Sequence, residues 1–136
     1  MNKDALKRIF EFLEEKEEHN APFLWKLVNN EPLTEDDLVV KGNLDLQFKK
    51  ITSLPEGLEV EGNLKLFYTG IRELPEGLIV GRDLELPYLS MTSLPKGLKV
   101  YRNIYINSSK LRDFSNEELR EMIKPGFIKG EIIRKW

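Results

Sequence analysis

The sequence predicts an α+β chain built around a short parallel β-solenoid of about four 20-residue coils, with an N-terminal helical cap and a C-terminal cap of helix and strand. Three observations carry this prediction. The middle of the chain superimposes on itself in blocks of twenty without a gap, the matched positions form six apolar columns, and the flanks change to helical spacing. A fixed period with apolar columns marks stacked units, none of which can bury its apolar face alone.

Residues 1–33 read as the N-terminal cap. Leu6, Ile9, Phe10 and Leu13 recur at helical spacing within residues 3–18, opposite a face rich in Glu and Lys. A second short helix is expected from Asn20 as N-cap, with Pro22 in its first turn, through Phe23, Leu24, Leu27 and Val28. Pro32 is expected to stop it.

Residues 34–114 are the repeat. Leu58-Glu59-Val60-Glu61-Gly62-Asn63-Leu64-Lys65-Leu66 returns as Leu78-Ile79-Val80-Gly81-Arg82-Asp83-Leu84-Glu85-Leu86 and again as Leu98 to Ile106, with a leading copy at Leu38 to Leu46. Leu-x-Val and Leu-x-Leu each alternate with period two, so each is expected to be a short strand with one buried face. Between them Leu54-Pro55-Glu56-Gly57-Leu58 and its copies at 74–78 and 94–98 place Pro and Gly where a corner is needed. The core columns start at Leu38, Val40, Leu44, Leu46, Ile51 and Leu54 and repeat every 20 residues.

Residues 115–136 form the C-terminal cap. Ser115 and Glu118 have the spacing of a capping box ahead of Leu119, Met122 and Ile123. Pro125-Gly126 ends that helix, and Phe127 to Trp136 is apolar enough to add a final strand.

Composition narrows the function. With 40% hydrophobic and 32% charged residues the chain has the balance of a globular domain, and a net charge of −2 gives no field for nucleic acid or an anionic membrane. The basic residues Lys49, Lys50, Lys65, Arg112, Lys129, Arg134 and Lys135 are interleaved with acids and form no stripe. Cysteine is absent, and Met1-Asn2-Lys3-Asp4 leads into a charged segment where a secretory leader would have an apolar core, so a cytoplasmic protein is expected. No membrane, nucleic-acid, cofactor or metal partner is expected.

An enzyme is not expected either. One histidine, His19, and no cysteine leave no nucleophilic triad and few zinc sites. Glu56 and Glu76 share a corner column, but Lys96 continues it, which fits solvated charge better than a paired-carboxylate site.

The Leu-Pro-x-Gly-Leu corners on a 20-residue period resemble the short leucine-rich repeats of bacterial and phage proteins, over about residues 38–114. That likeness implies a leucine-rich-repeat-like, strand-lined solenoid used for protein recognition, and for a phage protein a bound or inhibited cellular factor. The pattern departs from the family in one respect. Asn stands before the second strand, at Asn43, Asn63 and Asn103 with Asp83 between, and not after it, which implies a flatter solenoid than a curved horseshoe.

Candidate partner-binding residues are those that vary while the scaffold stays fixed. Alternation along the Leu-x-Leu strand points Asp45, Lys65, Glu85 and Tyr105 outward, followed by Gln47, Phe67, Pro87 and Asn107. Phe67, Pro87 and Tyr105 are expected to be exposed, and clustered exposed apolar groups suggest an interface. The column Phe48/Tyr68/Tyr88 has the parity of the buried leucines and is expected to be a stacked aromatic edge of the core. The leading expectation is a non-enzymatic module holding a protein partner. A self-associating structural or virion component, hence a homo-oligomer, and a carbohydrate-binding solenoid are the alternatives.

Overall fold

The computed structural model describes residues 21–135. The expected helix over 3–18, His19, the Asn20 cap and Trp136 lie outside the described residues. Helix α1 spans Ala21–Val28, and ten two-residue strands follow in chain order: β1 Val39–Val40, β2 Leu44–Asp45, β3 Glu59–Val60, β4 Leu64–Lys65, β5 Ile79–Val80, β6 Leu84–Glu85, β7 Lys99–Val100, β8 Ile104–Tyr105, β9 Phe127–Ile128 and β10 Ile132–Ile133. A 3-10 helix, Lys110–Asp113, and helix α2, Asn116–Met122, lie between β8 and β9.

The chain is a parallel β-solenoid. Each repeat gives one strand to each of two parallel sheets, ordered β1-β3-β5-β7-β9 and β2-β4-β6-β8-β10. Val40 pairs with Val60, Val60 with Val80 and Val80 with Val100, while Leu44, Leu64, Leu84 and Ile104 align in the second sheet. The register therefore equals the sequence period, and matching apolar residues stack into the columns expected from it. From Leu58 to Leu111 every column member is buried; only the end positions Leu38 and Phe114 are half-buried. Two-residue strands bring few ladder hydrogen bonds, so cohesion comes chiefly from these columns.

Corners and bends have local causes. Gly57, Gly77 and Gly97 adopt φ of 81°, 75° and 77°. In the second corner Leu78 N–H donates to the Pro75 carbonyl at 3.3 Å, closing a β-turn whose third residue is Gly77. At the bend between the sheets a polar ladder runs along the solenoid. Asn43 Oδ1 accepts the Asn63 N–H at 2.8 Å, Asn63 Oδ1 that of Asp83 at 2.9 Å, and Asp83 Oδ1 that of Asn103 at 3.0 Å. Each side chain thus satisfies a bend amide of the next repeat, whose burial unpaired would be costly.

The last rung breaks the period. Asn103 Oδ1 accepts the Glu131 N–H at 2.8 Å, 28 residues on. The extra chain holds the 3-10 helix and α2, after which Ile128 stacks on Val100 and Ile132 on Ile104. The C-terminal segment thus supplies a strand to each sheet. Gly126 permits the return, since any Cβ there would overlap the Leu98 carbonyl. Two arginines fasten this segment. Arg120 donates to the carbonyls of Ile128 (2.6 Å) and Gly130 (3.0 Å), and Arg134 to those of Arg112 (2.9 Å) and Phe114 (2.6 Å). The capping box at α2 is formed on both sides: Ser115 Oγ accepts the Glu118 N–H at 3.1 Å and Glu118 Oε1 accepts the Ser115 N–H at 2.9 Å.

Helix α1 buries Phe23 and lays Leu24 and Leu27 against the core. It ends at Val28, the last residue expected in it, and the turn that ends it precedes Pro32: Asn30 turns left-handed (φ 54°) and Glu31 N–H returns to the Lys26 carbonyl at 2.9 Å. Lys26 then bonds Asp37 at 2.7 Å, tying the helix to the turn that enters β1. Burial pushes the Asp37 carboxyl up, but the Lys26 ammonium and the Thr34 N–H and hydroxyl outweigh it and hold it below the usual carboxylate range.

Candidate functional site

The second sheet leads into a turn, and the turn decides what faces outward. Lys49 N–H donates to the Leu46 carbonyl at 3.1 Å, and the third residue of that turn, Phe48, has φ of 62°. Tyr68, Tyr88 and Ser108 repeat the conformation at 58°, 62° and 58°. In the last copy Ser109 closes the turn with its N–H and hydroxyl on the Ile106 carbonyl, at 3.1 and 2.6 Å. A positive φ at this turn position normally selects Gly or Asn. A side chain held there costs about 1–2 kcal/mol, and for a bulky ring it is an outlier.

Three aromatic rings accept that cost and project into solvent. Phe48 is 72% exposed, Tyr68 53% and Tyr88 49%. Phe48 and Tyr68 stack at 5.0 Å between centroids and 7° between planes, and Tyr68 and Tyr88 at 5.2 Å and 13°. The separations follow the strand spacing of about 4.8 Å, so the solenoid sets the stack. Phe67 meets Tyr68 edge-on at 6.3 Å, widening the aromatic surface at its middle.

This corrects the expected geometry of two columns. The aromatic edge is stacked but not buried. Among the residues expected outward, Asp45 is exposed, Gln47, Lys65, Phe67, Glu85 and Tyr105 are half-buried, and Pro87 and Asn107 are buried. The physical reason is strand length. Alternation holds through Asp45, Lys65, Glu85 and Tyr105, which pair side by side across β2, β4, β6 and β8. The strands end there and the turn begins: Pro87 and Asn107 turn inward, Gln47 and Phe67 stay half-buried, and 48, 68 and 88 turn out. The Asn107 side-chain oxygen is buried with no hydrogen-bond partner among the described residues.

The outward row on the second sheet alternates in charge: Asp45, Lys65, Glu85, then Tyr105. Asp45 accepts the backbone N–H of Gln47 at 3.0 Å and its side-chain amide at 2.9 Å. Burial lifts the Glu85 carboxyl above its usual range; Asp83 and Asp45 add to this and Lys65 opposes it. The corner residues Glu56, Glu76 and Lys96 are all exposed. Among the described residues no three His, Asp or Glu side chains gather as metal ligands, and no helix is long and apolar enough to cross a membrane.

One signal in the sequence marks the ladder as outward. The six core columns stay apolar through four copies, whereas the aromatic column ends in Ser108, as a solvent-facing column can.

Fold and surface together define a parallel β-solenoid carrying a regular row of exposed rings. Comparison with protein-family models, with curated proteins and with solved structures returned no match.

Proposed function

We propose that the chain is a non-enzymatic binding module that holds a protein partner on the aromatic ladder and the neighbouring row Asp45, Lys65, Glu85 and Tyr105. The observation that carries this is the ladder itself: three rings kept in solvent on left-handed backbone, at 72%, 53% and 49% exposure. Backbone held in a disfavoured conformation by its surroundings is a mark of functional positions. Tyrosine-rich surfaces supply large contact area at little entropic cost, and a preformed face loses little freedom on binding. The two rows run side by side because both repeat with the solenoid. On this reading the repeat is of the short leucine-rich kind met in bacterial and phage proteins, and it acts in the cytoplasm on a cellular factor.

The test compares immobilised wild type with a Phe48→Asn, Tyr68→Asn, Tyr88→Asn variant in capture from the native cell. Asn tolerates left-handed backbone, so the variant loses the rings without new strain. A captured protein that binds purified wild type directly, and binds the folded variant at least tenfold more weakly, is the expected result. Equal binding to both refutes the ladder as the interface. Capture of the chain by itself alone, with a dimer or larger in sedimentation, replaces the module with a self-associating component.

A further inference from the structure

The aromatic column has four positions and only three rings. Ser108 has the same left-handed backbone (φ 58°) as Tyr68 and nearly that of Tyr88, so the place for a fourth ring is built and left without one. In its stead an open recess of about 280 Å³ lies between Tyr88 and the 3-10 helix, lined also by Ser108, Ser109, Lys110, Arg112 and Asp113. That volume falls just under the range of about 300–1,000 Å³ for drug-sized ligands, and suits one side chain.

The walls are fixed in advance. Leu111 anchors the 3-10 helix in the core at 0% exposure, Arg134 holds the Arg112 carbonyl at 2.9 Å, and Ser109 is bonded twice to Ile106. Tyr88 is held on its other face by Tyr68 at 5.2 Å. The lining carries two cations against one carboxylate, on a chain that is acidic as a whole.

We propose that this recess receives an aromatic side chain of the protein partner, flanked there by an acidic residue, as the fourth ring of the ladder. This deepens the binding-module reading and rests on it. The incoming ring lies on the Tyr88 face turned toward Ser108, continuing a stack whose spacing the solenoid already sets. The adjacent carboxylate is met by Lys110 and Arg112, of which arginine can grip it with two parallel hydrogen bonds. An aromatic ring seated in a preformed pocket is a common form of interface hot spot.

The probe is the blocked tripeptide acetyl-Asp-Tyr-Glu-amide, titrated into the 15N-labelled full chain beside acetyl-Asp-Ala-Glu-amide and cellobiose. Saturable amide shifts centred on Tyr88, Leu89, Ser108 and Ser109 with the tyrosine peptide alone are expected, at concentrations on the order of 1 mM. Ser108→Tyr fills the place with the chain's own ring and should abolish those shifts, and Tyr88→Ala should weaken them at least fivefold. The alanine peptide tests the ring without any change to the protein, so the outcome does not hang on either variant folding. Equal shifts from both peptides, or saturation by cellobiose alone, overturn the proposal. If the recess stays silent to the tyrosine peptide while the ladder variant still loses its partner, the recess fails and the binding module stands.

Discussion

Glycine substitutions along the aromatic column separate what the rings contribute from what their backbone costs. Ser108, Phe48 and Tyr68 share one left-handed conformation but make zero, one and two ring stacks at 5.0–5.2 Å. Replacing each by glycine relieves about 1–2 kcal/mol of steric strain and gives the unfolded chain about 0.4–1 kcal/mol of extra freedom. These shared terms leave Ser108→Gly neutral to stabilising by about 1.6 kcal/mol. A stacked aromatic pair contributes about 0.5–1.5 kcal/mol. Phe48→Gly should therefore be about 0.5–1.5 kcal/mol less stable than Ser108→Gly, and Tyr68→Gly about 1–3 kcal/mol less stable, with the edge contact to Phe67 adding to the latter. Urea unfolding followed by circular dichroism measures all three, and an unchanged denaturant slope keeps the comparison valid. Equal stability of the three variants would refute the ladder as an energetically coupled stack. The rings would then be neighbours by register alone.

Three further outcomes test other parts of the molecule. Ser115→Ala removes the acceptor for the Glu118 N–H and should cost about 0.5–2 kcal/mol, with hydrogen exchange rising first in α2; an unchanged exchange pattern would show that the Arg120 and Arg134 clamps suffice. Gly126→Ala places a Cβ against the Leu98 carbonyl and should detach β9 and β10, lowering the melting temperature by several degrees and loosening Lys99 and Val100 amides. Glu85→Gln should stabilise the chain at pH 7 and have little effect at pH 4. The carboxyl is raised in the folded state, so the wild type loses stability as pH rises from the unfolded value of about 4.3 through the folded one, a loss that glutamine does not share. A stability difference that stays constant from pH 4 to pH 7 would contradict the burial that raises it.

The solenoid was legible because its register is its period. Val60, Val80 and Val100 are aligned in the sequence and aligned in the sheet, so counting by twenty finds the core. The last rung was only half legible. Apolar content marked Phe127 to Trp136 as strand-forming, but the offset from Asn103 to Glu131 is 28 residues, and a count by twenty passes over it. The candidate surface was misread at the turn. Alternation holds only while the chain is extended, and each strand here lasts two residues. Carrying it to Pro87 and Asn107 placed two buried residues outside, and the same step placed Phe48, Tyr68 and Tyr88 inside. Left-handed backbone under an aromatic ring has no propensity signature, because the residues that favour it are Gly and Asn.

The Asn43–Asn63–Asp83–Asn103 ladder makes the length of this protein adjustable. The side-chain oxygens of Asn43, Asn63 and Asp83 each accept a bend amide of the next repeat. A duplicate of residues 58–77 therefore arrives with its own acceptor, finds an amide-satisfying neighbour on one side and supplies one on the other. Such an insertion should lengthen the molecule by about 4.8 Å and extend the ring row by one tyrosine, with helix and clamps undisturbed. The length of the ring row would then be set by gene duplication in whole steps, with no compensating change elsewhere in the chain.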